Sequence, residues 1–135
     1  MMKKTIYNYL YQKAEGIPVW EHLGARLSNL SKGAAEVGLP YNTKLDNSMQ
    51  ALQGGITTAI ADAAGGWALL TLVKPGTKIS TVELKINFLL PIREDVVAEG
   101  KVVHLGSAIG TSSVKVKFMD GRIAAVGIGT YYLKD

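Results

Sequence analysis

Gln53-Gly54-Gly55-Ile56-Thr57-Thr58-Ala59-Ile60-Ala61-Asp62-Ala63-Ala64-Gly65-Gly66-Trp67-Ala68-Leu69-Leu70-Thr71-Leu72-Val73 is the stretch on which the fold turns. From Gly54 to Val73 it carries one charge, Asp62, at its middle, and it is long enough to span a bilayer. Three features oppose that use. A carboxylate at the bilayer centre costs about 2.5 to 3.5 kcal/mol, no Lys or Arg flanks the Gly54 side, and everything downstream alternates like a soluble strand. The expectation is a helix over Ile56 to Val73, buried on all sides by its own protein and stopped by Lys74-Pro75-Gly76.

Downstream the apolar period changes to two. Val82, Leu84, Ile86, Phe88 and Leu90 alternate with Thr81, Glu83, Lys85, Asn87 and Leu89, which predicts a strand over Ser80 to Leu90 with one face on a core, ended by Pro91. Val96 to Leu105, Ser113 to Met119 and Arg122 to Leu133 read as three more strands, the last two joined at Asp120-Gly121. Upstream, Thr5 to Ala14 has helical spacing and is closed by Gly16 and Pro18. Ala25 to Leu30 and Ala34 to Leu39 form a hairpin around Ser31-Lys32-Gly33, and Pro40 to Gln50 is a polar loop. The economical packing is α+β: a hairpin and a four-strand antiparallel meander curled around one long central helix.

With 135 residues, the chain is one domain, 1–135. Hydrophobic residues make up 47% and charged residues 19%, which excludes a disordered tail. The net charge of +4 is scattered, with no run longer than Lys3-Lys4, so no nucleic-acid patch is expected. Without cysteine, neither disulfides nor thiolate chemistry is available, and two histidines 82 positions apart suggest no metal site. Met1 to Leu10 reads as no export signal, and a cytoplasmic location is expected.

Asp62 is the only ionisable residue between Asp46 and Lys74. Such a carboxylate must be paired, hydrogen-bonded or open to a cleft, and a structural bond to a hydroxyl such as that of Thr58 is one reading. The other begins at Gln53-Gly54-Gly55, whose unblocked amides lie at the positive end of the helix dipole, although paired glycines there can also be only a turn. A water-activating carboxylate and a carbonyl-polarising N–H are what hydrolysis of an activated acyl bond needs without Ser, Cys or metal. Gly54 and Asp62 are eight residues apart, roughly 12 Å along a helix, too far to reach one carbonyl. Two helices antiparallel about a two-fold axis bring them together, so the site is expected between subunits, twice per dimer.

Asn47, Gln53-Gly54-Gly55-Ile56, Ala61-Asp62, Thr81-Val82-Glu83-Leu84-Lys85-Ile86-Asn87-Phe88-Leu89-Leu90-Pro91 and His104-Leu105-Gly106 together make the chain resemble the hotdog-fold acyl-CoA thioesterases of the phenylacetate-pathway type, within the 4-hydroxybenzoyl-CoA thioesterase-like superfamily. The resemblance covers about residues 18 to 133 and implies a hotdog fold. It implies Asp62 as general base or nucleophile, Gly54 as the carbonyl-polarising amide, Asn47 as the loop amide that places carbonyl or water, and Thr81 as support for that water. Gln53, Gly55 and Gly106 follow as substrate-binding positions. No cofactor is implied beyond the CoA of the substrate, and the implied assembly is a homodimer or homotetramer acting on an acyl-CoA, with neither nucleic acid nor membrane as partner.

Two positions depart from that pattern. Gln53 stands where the family usually has His, and it can hydrogen-bond but not titrate. Ser107 stands where Arg or Lys often meets a CoA phosphate, which leaves Lys101 or Arg93 for that task. Thr81 shares parity with the residues opposite the apolar face, so it reaches the helix only through a bulge or a strand end. Trp67 either lines an acyl pocket or is a core aromatic, and Tyr7, Tyr9, Tyr11 and Trp20 either cover the acyl end or pack the N-terminal helix onto the sheet. The rival functions are a hotdog module that binds acyl thioesters without turnover, and a dehydratase of hydroxyacyl thioesters.

Overall fold

Ten elements, the apolar stretch among them, make up the fold in a computed structural model that describes residues 2–135. They run α1 (Met2–Ala14), α2 (Pro18–Leu23), β1 (Arg26–Ser31), β2 (Ala34–Leu39), a 3-10 turn (Thr43–Leu45), α3 (Gly54–Leu70), β3 (Lys78–Phe88), β4 (Val96–Leu105), β5 (Ile109–Phe118) and β6 (Ile123–Lys134). The six strands form one antiparallel sheet in the order β1-β2-β4-β5-β6-β3, and α3 lies across its concave face. This is the hotdog arrangement.

Contact between helix and sheet is close because small residues meet. Ile60, Ala61, Ala64 and Ala68 of α3 are buried against Val37, Ala98, Val114, Val116 and Ala125 of the sheet, and Leu69 against Tyr131 and Leu133. A Cβ on Gly100 would strike the Ala64 carbonyl, so only glycine lets β4 approach the helix backbone there. The buried Ser112 hydroxyl donates to the Gly65 carbonyl at 2.9 Å, a further tie from β5 to the middle of the helix. At its end, Thr71 donates to Ala68 O at 2.7 Å and accepts from the Gly33 amide at 2.8 Å, pinning α3 to the first hairpin.

The structure corrects the sequence reading at five places. The helix runs Gly54–Leu70 rather than from Ile56 to Val73, because Gly54 occupies its first turn and Thr71 caps its end. It is not buried on all sides: Gly55 and Ala59 are exposed and Asp62 and Ala63 are half-buried, a stripe facing away from the sheet. Over its C-terminal half lie α1 and α2, where Trp20 packs against Trp67 with ring centroids 5.7 Å apart and the planes tilted by 50°. Pro18 does not merely end the N-terminal helix; it opens α2, a position where its missing N–H costs nothing.

The other two corrections concern β3. The four C-terminal strands are not a simple meander, since β3 pairs with β6 at one edge while β2 takes the place beside β4. Nor does β3 keep one apolar face on the core. Its pairing with β6 slips between Thr81 and Glu83, leaving Val82 as an extra residue that is 60% exposed. Before the slip Ile79 packs inward beside Leu133, and after it Leu84 and Ile86 do. Among the described residues, no helix is long and apolar enough to cross a membrane.

Candidate active site

The bulge at Val82 settles the parity of Thr81. It turns the hydroxyl toward α3, where Thr81 Oγ1 donates to Asp62 Oδ1 at 2.7 Å. Thr58 is not the partner: its hydroxyl donates back to Gly54 O at 2.9 Å within the helix. Asp62 is half-buried on the open stripe of α3, so its carboxylate is hydrogen-bonded on one side and accessible on the other. Beneath it, the Tyr131 hydroxyl donates to the Asp62 backbone carbonyl at 2.9 Å. Burial, then the nearby Asp62 carboxylate, push the Tyr131 phenol well above its ordinary value, so it stays a neutral donor.

Tyr131 is a residue the sequence reading missed. Gly127 and Gly129 share its parity on β6, and Gly65 lies opposite on α3. Added Cβ atoms at Gly65 and Gly129 would collide with the phenol, so alternating glycines before an aromatic were the available signal.

At the start of α3 the N-cap Gln53 has extended ψ and makes no side-chain cap, and the first intrahelical amides to find an acceptor are those of Ile56 and Thr57. The amides of Gly54 and Gly55 thus point out of the helix end. Gly54 is half-buried beside the Phe88 ring, whereas Gly55 and Gln53 are exposed. A groove of about 480 Å³ opens here, lined by Asn47, Met49, Gly54, Phe88, Leu90 and Arg93 among others. Asn47 Oδ1 accepts from the amides of Met49 (2.8 Å) and Ala51 (3.2 Å), which leaves its NH2 as the end able to donate.

Gly106 lies elsewhere, in the β4–β5 turn, its amide bonded to Ile109 O at 2.8 Å. That turn adjoins the C-terminal end of α3, where Gly110 abuts Leu69. His104 is exposed on β4. Lys101 is exposed on β4, and Arg93 is engaged with the carbonyls of Gln50 and Met49. One protomer therefore assembles Asp62 with Thr81, and Asn47 with Gly54, at two places about 12 Å apart along α3.

A family model for the Thioesterase superfamily matches residues 49–125, more than half the chain and all of α3 through the β6 start. The chain belongs to the Thioesterase superfamily. Among its relatives, a Saccharolobus solfataricus protein provisionally named an esterase is 35% identical over 92% of this chain and 87% of that one. A Halobacterium salinarum protein with the same provisional name is 33% identical over 70% of this chain and 66% of its own. A thioesterase family protein from Silicibacter pomeroyi superposes with a TM-score of 0.89 at 28% identity, covering 96% of this chain and 98% of that one. The E. coli PaaI protein from the phenylacetic acid degradation operon superposes at 0.88 over 98% and 95% of the two chains, and at 19% identity it speaks to the hotdog fold alone. Superfamily membership supports thioester hydrolysis as the general activity.

Proposed function

We propose that the protein is a cytoplasmic, homo-oligomeric hydrolase that cleaves an acyl-CoA to a carboxylic acid and CoA. The observation that carries this reading is the 2.7 Å hydrogen bond from Thr81 to Asp62, which holds a carboxylate facing an open stripe of the helix. Gly54 N–H polarises the thioester carbonyl, with the Asn47 NH2 beside it. Asp62 either takes a proton from a water or attacks the carbonyl to form a transient anhydride that water then opens. In both routes the C–S bond breaks, the thiolate leaves as CoA after protonation, and the oxygen of water ends in the acid. Gln53, Gly55 and Gly106 serve substrate binding, and no cofactor takes part.

The two halves of this site belong to different subunits in the proposal. β3 is an edge strand with Val82 60% and Phe88 55% exposed and Leu89, just beyond its end, 54% exposed, a surface suited to pairing with a second copy. Antiparallel pairing sets Asp62 of one subunit against Gly54 of its mate, in a dimer or a tetramer of such dimers. A second reading, thioester binding without turnover, is favoured by Gln53, which is exposed and cannot titrate. Release of free thiol from a panel of acyl-CoAs decides between them. Turnover abolished in Asp62→Ala supports the hydrolase; tight binding with no thiol release supports the binder.

A further inference from the structure

The five-residue excursion Asn47–Ala51 sits between Asp46 and Leu52, which bridge each other, and leads directly into Gln53 and Gly54. Its Met49 and Ala51 amides donate to Asn47 Oδ1, and its backbone closes on itself where Asn47 N donates to Ala51 O at 2.7 Å and Gln50 N to Asn47 O at 3.3 Å. The two carbonyls at its tip are held by a residue more than forty positions away: Arg93 Nε donates to Gln50 O at 3.0 Å and a terminal guanidinium nitrogen to Met49 O at 3.4 Å. Gln50 has φ 57, the only non-glycine residue described with positive φ. A side-chain-bearing residue in that left-handed region is strained and persists only where its surroundings hold it. The neighbouring Leu52 amide is anchored to Ile92 O at 2.9 Å, so the segment that carries Arg93 also fixes the exit of the loop.

We propose that Arg93 is a positioning residue for the acyl carbonyl. By holding Gln50 in its strained conformation it fixes the turn whose amides orient the Asn47 carboxamide, and so aims the Asn47 NH2 along the groove wall beside Gly54. Lysine has no planar fork and cannot serve two consecutive carbonyls in the same way. This inference rests on the hydrolase reading, and it differs from a role for Arg93 in gripping a CoA phosphate.

The test compares wild type, Arg93→Met, Arg93→Lys and Arg93→Met/Gln50→Gly on one acyl group carried by CoA and by N-acetylcysteamine, a thiol without phosphates. Expected is a roughly tenfold fall in kcat for Arg93→Met on both substrates, a smaller fall for Arg93→Lys, and partial recovery in the double variant, because glycine adopts the left-handed conformation unaided. Hydrogen exchange of the Met49 and Ala51 amides, which needs no turnover, should speed up in Arg93→Met. A loss confined to KM and to the CoA substrate overturns the proposal in favour of phosphate contact, and unchanged kcat with unchanged exchange overturns it outright. If wild type hydrolyses neither substrate while exchange responds to Arg93→Met, the hydrolase reading fails and the catalytic part of the inference falls with it, the loop clamp alone remaining.

Discussion

The Thr81 hydroxyl and the Gly54 amide are the two groups whose removal isolates a single interaction. Thr81→Val keeps the shape of the side chain and deletes one hydrogen bond to a carboxylate, a bond of about 1.5 kcal/mol, so kcat should fall about tenfold with the melting temperature nearly unchanged. Gly54→Pro deletes the N–H and keeps the helix, since proline is at home in the first helical position and Gln53 already has the extended ψ that a following proline requires. Loss of one donor to a developing oxyanion predicts a fall of about 10² to 10³ in kcat, measured by thiol release, with helical circular dichroism retained. Asp62 was legible in the sequence because a lone charge in twenty apolar residues demands an explanation. Its partner was legible only as a condition, since strand parity points Thr81 away from the helix and only the slip at Val82 reverses it. The clamp of Arg93 on Gln50 was not legible at all, being a contact between backbone carbonyls and a distant guanidinium that no local pattern encodes.

The pairing of α3 with β4 depends on backbone lying against backbone. Gly100→Ala would drive a methyl into the Ala64 carbonyl, and neither side is a flexible chain end that can yield. The cost should be about 3 kcal/mol, read as a lower denaturant midpoint at unchanged slope. The type of α3 could be read from its apolar length and sparse charge, and that of β3 from its period of two, even though the slip at Val82 interrupts that face. Their adjacency could not: local signals around Asp120-Gly121 and Ser31-Lys32-Gly33 specify hairpins, while the placement of β3 beside β6 rather than β4 is a long-range choice made by the sheet closing around the helix. Full burial of α3 was expected from its low charge, yet the alanines and glycines of its outer stripe tolerate exposure at little cost.

One protomer holds Asp62 and Gly54 about 12 Å apart along α3, whereas the proposed reaction brings them together. If β3 is the dimer edge, lysines at Val82 and Phe88 should prevent pairing, so that the double variant sediments as a folded monomer and releases no thiol. The most direct test of a shared site mixes two inactive proteins. Asp62→Ala and Gly54→Pro, unfolded together in equal amounts and refolded, form half their dimers as hybrids. Each hybrid carries one intact site, with Asp62 from one chain facing Gly54 from the other, and one site lacking both. Recovery of about a quarter of wild-type thiol release is expected. A mixture as inactive as its two components would contradict it, because both groups would then have to act within a single chain.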